Sequence, residues 1–278
     1  MKSRQRTKRK PLDLALAAVT YIAAGLTVAI LLLLIGYVVI QGVPNLKLSM
    51  FSPRYTSENV SAFPAIVTTV ELTLLSLIIA VPLGVCTAIY LTEYARRGNR
   101  VVGLIRITAE TLSGIPSIVY GLFGMLFFVT ALGWGFSLIA GALTLAIMIL
   151  PLIMRTTEEA LLSVPDSYRE GSFGLGAGRL RTVFRIVLPA AVPGILSGVI
   201  LAIGRIVGET AALIYTAGTA AEMPTLTGSA RTLAVHMYTL SSEGLHTGEA
   251  YATAVILLVL VVGINALAAF SAKKLTRA

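Results

Sequence analysis

Between Thr111 and Met154 the chain runs for 44 residues without one charged side chain, and Leu14 to Ile40 is a second charge-free run of 27. A helix that crosses a membrane needs about 20 mostly apolar residues. The longer run therefore suffices for two crossings and the shorter for one. Composition agrees: 56% of the 278 residues are hydrophobic and 13% charged, against roughly 45–50% and about 25% in soluble domains. Soluble globular, disordered, collagen-like and coiled-coil classes are excluded, and the chain reads as an all-α, multi-pass membrane protein.

Six spans follow. After Leu14–Ile40 comes Ala65–Leu91, which carries Glu71 and an internal Pro82. Two spans share Thr111–Met154, with Gly133-Trp134-Gly135 as the break between them. The fifth, Ala190–Ala217, contains Arg205 and Glu209, and the sixth is Tyr251–Ala272. The opening segment 1–13 is basic, but the apolar run behind it is too long for the h-region of a cleaved signal peptide, about 7–15 residues, so it is expected to stay as a helix. Residues 14–278 then form one transmembrane domain with a loop at 155–189 on one side and loops at 41–64 and 218–250 on the other.

Most of the 22 basic residues fall on one side of these spans, at the two termini, around Arg96 to Arg106, and from Arg155 to Arg185. The positive-inside rule places both termini and the 155–189 loop in the cytoplasm, and a bacterial-type cell membrane is the expected location. The net charge of +9 is thus mainly a topology signal. It forms no continuous stripe of the kind nucleic acid requires, and attraction to anionic lipid is its second reading.

The chain shows no machinery for catalysis. The cluster Gly174-Leu175-Gly176-Ala177-Gly178 is followed by Arg179 and Leu180, whereas a phosphate-binding P-loop needs Lys and then Ser or Thr. Cys86 is the one cysteine and lies in an apolar run. His236 and His246 both sit in the 218–250 loop, expected to be polar and extracytoplasmic, and two histidines there make a weak case for metal. No catalytic residue, metal or cofactor is expected.

The 155–189 loop carries more information. Pro165 suits the first turn of a helix and Asp166 its positive end. A short helix through Tyr168, Arg169, Glu170 and Phe173 should stop at the glycines. Such a helix either docks in a groove of another protein or lies against lipid headgroups. Its spacing resembles a loop in the permease subunits of ABC importers, which reads Glu-Ala-Ala, three residues, Gly, nine residues, Ile-x-Leu-Pro. Here Glu170, Gly176, Ile186, Leu188 and Pro189 stand at those intervals, and Gly171 and Ser172 replace the two alanines. Both replacements are small but lower helix propensity.

The resemblance implies a type I ABC importer permease fold. It also implies that the short helix couples to an ATPase dimer through Tyr168, Arg169, Glu170, Gly171 and Ser172, with Gly176 making the turn behind them. ATP hydrolysis would then belong to that partner.

Arg205 stands roughly 24 Å along a helix from Pro189. An intramembrane arginine is costly and needs a partner or an aqueous path. Glu209, four residues on, is placed to share its face, which leaves two readings: a structural ion pair, or an anion site built on the planar guanidinium fork. Gly204-Arg205-Ile206-Val207-Gly208-Glu209-Thr210 resembles the Arg-x-x-Gly-Glu-Thr segment of phosphate-specific ABC permeases. Gly114-Ile115-Pro116-Ser117-Ile118-Val119-Tyr120-Gly121 is similar to a second segment of that family, and 231–238 to its last outer loop. The Glu-Thr-Ala ending and that final loop look more like the A type than the C type.

The resemblance implies inorganic phosphate as cargo, with Arg205, Glu209, Thr210, Pro116 and Ser117 on its path. It also implies a C-type permease partner and an extracytoplasmic phosphate-binding protein. Independently, Pro116 should break the third span, either to expose backbone amides and the Ser117 hydroxyl or simply to kink a packed helix. Sulfate or molybdate remains an alternative cargo. An ATP-independent secondary transporter would leave the 170–189 spacing unexplained.

Overall fold

The computed structural model describes residues 11–96 and 98–275, and all of the regular structure among them is helical. Of the basic residues that set the expected topology, Lys2 to Lys10, Arg97 and Arg277 lie outside the described residues. Helix α1 (Pro11–Gly42) leads through two short 3-10 turns into α2 (Phe63–Ile89), which a π-turn extends to Tyr94. Next come α3 (Arg100–Ser113), α4 (Ser117–Gly124, extended by a π-turn to Ala131) and α5 (Leu138–Leu162). The short α6 (Asp166–Gly174) precedes α7 (Arg179–Thr182), which runs on without a break into α8 (Leu188–Val207). A one-turn α9 (Ala211–Ile214), α10 (Leu233–Glu243) and α11 (Thr247–Leu275) complete the chain.

Among the described residues five helices are long and apolar enough to cross a membrane, six if the bent pair α3–α4 counts as one crossing. The core forms where α2, α5 and α8 cross, around Leu72, Leu145, Ile149, Ile153 and Ile206. Small residues let the backbones close up there. A Cβ at Gly84 would meet Ile153, one at Gly194 would meet Ala160, and one at Gly198 would collide with Thr156. Thr68, Thr69, Thr73 and Ser76 are buried in α2, and each hydroxyl donates to the carbonyl four residues back. Helix α1 packs at the edge against α11, with the Tyr37 and Tyr251 rings edge-on at 5.9 Å. It exposes apolar side chains along its length, as a lipid-facing helix does.

Four expectations need correction. The third span begins as α3, an amphipathic helix that meets α4 at 101°, so only the α4 half runs with the bundle. The fifth span ends at Val207 instead of Ala217, because Gly208 favours a stop and Glu209 takes a backbone amide into its own side-chain hydrogen bond. The 155–189 segment is mostly helix, with turns only at 163–165 and 175–178, and Pro165 caps α6 from just outside it. Finally, 218–250 is not a plain polar loop, since α10 packs onto α11, α2 and α9 and buries His236 completely. The break at Gly133 to Gly135 falls where expected, with φ of 69° and 66°.

Candidate functional site

Two interrupted helices meet in the bundle. Pro116 has no amide hydrogen and disfavours helix at Ile115. α3 therefore closes with 3-10 bonds from Gly114 to Thr111 and from Ile115 to Leu112, and α4 restarts at Ser117. The Tyr120 hydroxyl reaches back across the break and donates to the Leu112 carbonyl at 2.8 Å. In the other helix the break is Gly208 to Thr210. The two breaks face each other because α4 packs on α9, where a Cβ at Gly121 would stand 2.8 Å from the Ala212 Cα. Irregular backbone at membrane depth persists where protein buries it or a cavity adjoins it. Here Ile118, Thr210 and Tyr215 line a cavity of about 650 Å³ closed by α1, α10 and α11.

Arg205 occupies the last turn of α8, where the terminal carbonyls favour a cation. The antiparallel contacts Gly194–Ala160 and Gly198–Thr156 carry forward to place Arg205 level with Ile149, near the middle of α5. It is half-buried and acts electrostatically on Tyr120. The ion pair with Glu209, one of the two readings of their spacing, does not form. Glu209 is buried, and its Oε1 accepts from the Ala212 amide at 3.1 Å, capping α9. Among the described residues Arg205 has no ion-pair partner. Thr210 lines the cavity with Ile118, and Arg205 acts on Tyr120 in the first turn of α4; at the start of that helix Pro116 is exposed and Ser117 half-buried.

At the arginine-rich end, α6 forms as the proline and glycines require. Gly176 adopts φ +82°, and the amides of Gly176 and Ala177 return to the carbonyls of Phe173 and Ser172. Tyr168, Glu170 and Gly171 are exposed. Ser172 is buried and its hydroxyl shares a 2.8 Å hydrogen bond with Thr182, which locks α6 to α7.

Arg169 turns inward. Its Nη2 donates to Glu93 Oε1 at 2.7 Å and to the Leu161 carbonyl at 2.9 Å, and its Nη1 donates to the Val164 carbonyl at 2.8 Å. One guanidinium thereby joins α6 to the end of α2 and satisfies terminal carbonyls of α5. Sequence reasoning missed Glu93, because nothing local marks a partner 76 residues from Arg169.

It also missed a buried cluster at the opposite end. The Arg231 guanidinium lies 4.6 Å from the Tyr55 ring centroid, and Tyr55 meets the His236 ring edge-on. Burial first, and Arg231 second, hold the His236 imidazole down at about 3, with the Val60 carbonyl acting weakly the other way. Among the described residues no group of three His, Cys, Asp or Glu side chains could hold a metal ion.

Residues 80–277 match the model of the "Binding-protein-dependent transport system inner membrane component" family. The chain belongs to this permease family. The probable ABC transporter permease YqgI of Bacillus subtilis is 36% identical over 255 residues, covering 85% of this chain and 86% of that protein. The phosphate transport system permease PstA 1 of Mycobacterium tuberculosis is 38% identical over 196 residues, covering 69% of this chain and 64% of that one. This permease therefore spans most of YqgI but a little under two thirds of its mycobacterial relative. The similarity to A-type permeases read from the motifs holds.

Among solved structures, a permease chain of the bacterial alginate ABC transporter, crystallised with its alginate-bound periplasmic protein, superposes with a TM-score of 0.66 over 95% of this chain and 97% of that one, at 18% identity. The methionine transporter MetNI gives 0.56 over 78% and 93%, at 22% identity. At such identities the likeness concerns the fold, which is that of type I ABC importer permeases.

Proposed function

We propose that this permease is the A-type transmembrane subunit of an ATP-driven inorganic phosphate importer. The observation that carries the reading is Arg205: a half-buried cation in the last turn of α8, with no carboxylate partner among the described residues, close to the first turn of a helix that restarts after Pro116. The first amides of a helix lack intrahelical acceptors and attract anions. Arg205 and the α4 start can thus offer an oxyanion a charged fork and a dipole together, a site strong enough to admit phosphate and open enough to release it. Thr210 and Ser117 add hydroxyls near it. Glu209 keeps α9 in place.

On this reading both termini and α6 face the cytoplasm, and segment 1–13 is a cytoplasmic lead-in to the transmembrane domain. The exposed Tyr168, Glu170 and Gly171 enter a cleft of the ATPase dimer, while Arg169 and Ser172 hold α6 to the bundle so that its movement reaches the spans. A C-type permease completes the path, and the ends around 41–64 and 218–250 receive a phosphate-binding protein. Similarity to phosphate permeases supports phosphate over sulfate or molybdate.

The test is initial-rate uptake of labelled phosphate in cells lacking other phosphate transporters. Arg205→Gln should lower uptake by about 10- to 100-fold at equal membrane protein, the range expected for one charge-assisted contact. Unlabelled sulfate or molybdate should not compete. Unchanged uptake would remove Arg205 from the path, and competition by sulfate would reassign the cargo.

A further inference from the structure

A cavity lies away from the proposed path, at the arginine-rich end, between α3 and α6. It measures about 1050 Å³ and is lined by Arg96, Arg100, Arg106, Arg169 and Arg179, among others. Two of these five cations are already neutralised, Arg106 by Glu158 and Arg169 by Glu93. Arg96, Arg100 and Arg179 are exposed and have no carboxylate partner among the described residues. Arg179 rests 5.8 Å from the Tyr94 ring centroid, which holds it toward the cavity wall. Three unpaired cations around one concavity make a site for a phosphate-type anion.

The surroundings say where that anion comes from. On the proposed topology this is the inner-leaflet face. Helix α3 is amphipathic and bends 101° away from α4, as a helix lying in the interface does. Its Val101, Leu104 and Ile107 are 60–64% exposed, an apolar strip beside the charged mouth. A phosphodiester headgroup among the arginines would leave its acyl chains against that strip. The α6 residues at the cavity are Asp166, Arg169 and Phe173, spaced i, i+3, i+7 and so on one stripe of the helix. Glu170 stands at the edge of that stripe, four residues from Asp166, and Gly171 lies on another side of the helix.

We propose that this cavity is a binding site for one anionic phospholipid headgroup, held by Arg96, Arg100 and Arg179 against the flank of the coupling helix. The inner leaflet would then brace α6 on the same side as Glu93, which also lines the cavity. This goes beyond the transport reading and does not depend on the cargo.

Binding is read by native mass spectrometry of the purified full chain titrated with phosphatidylglycerol and, separately, phosphatidylcholine. At about fivefold per arginine near an anionic headgroup, phosphatidylglycerol should be favoured on the order of a hundredfold. Arg96→Gln, Arg100→Gln and Arg179→Gln should each weaken its first association about fivefold. The corresponding lysine variants should keep most of it. Arg181→Gln removes the same charge outside the cavity and should change nothing.

Equal retention of the two lipids by the native chain overturns the proposal without any variant. So does a preference that survives loss of all three arginines. If millimolar inorganic phosphate displaces the phosphatidylglycerol and binds alone in an arginine-dependent way, the site belongs to a free oxyanion and the lipid assignment is wrong.

Discussion

Arg205 and Glu209 show how four residues of spacing can mislead. On an unbroken helix they would pair, and the carboxylate would cancel the charge that the transport path needs. Because α8 stops at Val207, Glu209 serves the Ala212 amide instead and leaves Arg205 available. Glu209→Gln keeps an acceptor oxygen and should leave thermal stability nearly unchanged, whereas Glu209→Ala should cost about 1 kcal/mol, the value of a lost helix cap. An Arg205–Glu209 ion pair would make both variants destabilising, so comparing their melting temperatures separates the two arrangements.

His236 makes a second prediction at this scale. Its imidazole is held at about 3, below the ordinary 6.5. Between those values the unfolded chain binds the proton and the folded chain does not, so stability should fall as pH drops from 6.5 toward 3. The slope is about 1.4 kcal/mol per pH unit. His236→Phe should flatten the melting temperature between pH 7 and 5, and an equally steep loss in that variant would place the titration elsewhere.

At the scale of elements, Arg169 decides whether α6 moves with the bundle. It is 15% exposed in its side chain and faces Glu93 at 9%, so Arg169→Ala strands a buried carboxylate and removes the guanidinium from the Val164 and Leu161 carbonyls. Breaking such a pair costs about 3–5 kcal/mol. Hydrogen exchange over 166–174 should speed up well before the α2–α5–α8 core opens, and unchanged protection there would show that α6 is held by other contacts.

The close crossing of α5 and α8 is as demanding. Gly198→Val drives a branched side chain into Thr156, and the overpacking should cost about 1–3 kcal/mol. Thr156→Ala in the same chain should recover part of it. A melting temperature indifferent to Gly198→Val would mean that the two helices do not meet there.

Across the whole molecule, what could be read from the sequence follows from range. The membrane class, most of the spans, the kink at Pro116 and the α6 stop at Gly176 depend on neighbours in the chain: apolar runs, a missing amide hydrogen, a left-handed glycine. The motif around Glu170 and the Arg-x-x-Gly-Glu-Thr segment are likewise contiguous. Hidden features depend on distance. Glu93 belongs to Arg169 only after α2 and α5 have packed. α10 carries too short an apolar stretch to announce burial, yet it places His236 under Tyr55. The 101° turn between α3 and α4 needed the packed fold, because the apolar residues of α3 alone resemble the start of a span.

On the proposed reading these distant parts form one chain of connection, from Arg205 on the path, through Arg169, which ties α6 to the spans, to the exposed Glu170. The most direct test of that chain of connection is the initial rate of labelled phosphate uptake in starved cells deleted for this chain and for other phosphate transporters. They would be restored either with the native sequence or with Glu170→Lys at equal membrane level. Uptake that returns with the native chain and stays at background with Glu170→Lys is the predicted result, since Glu170 is exposed and has no ion pair among the described residues. Restoration by both chains would contradict coupling through α6, and restoration by neither would contradict phosphate as the cargo.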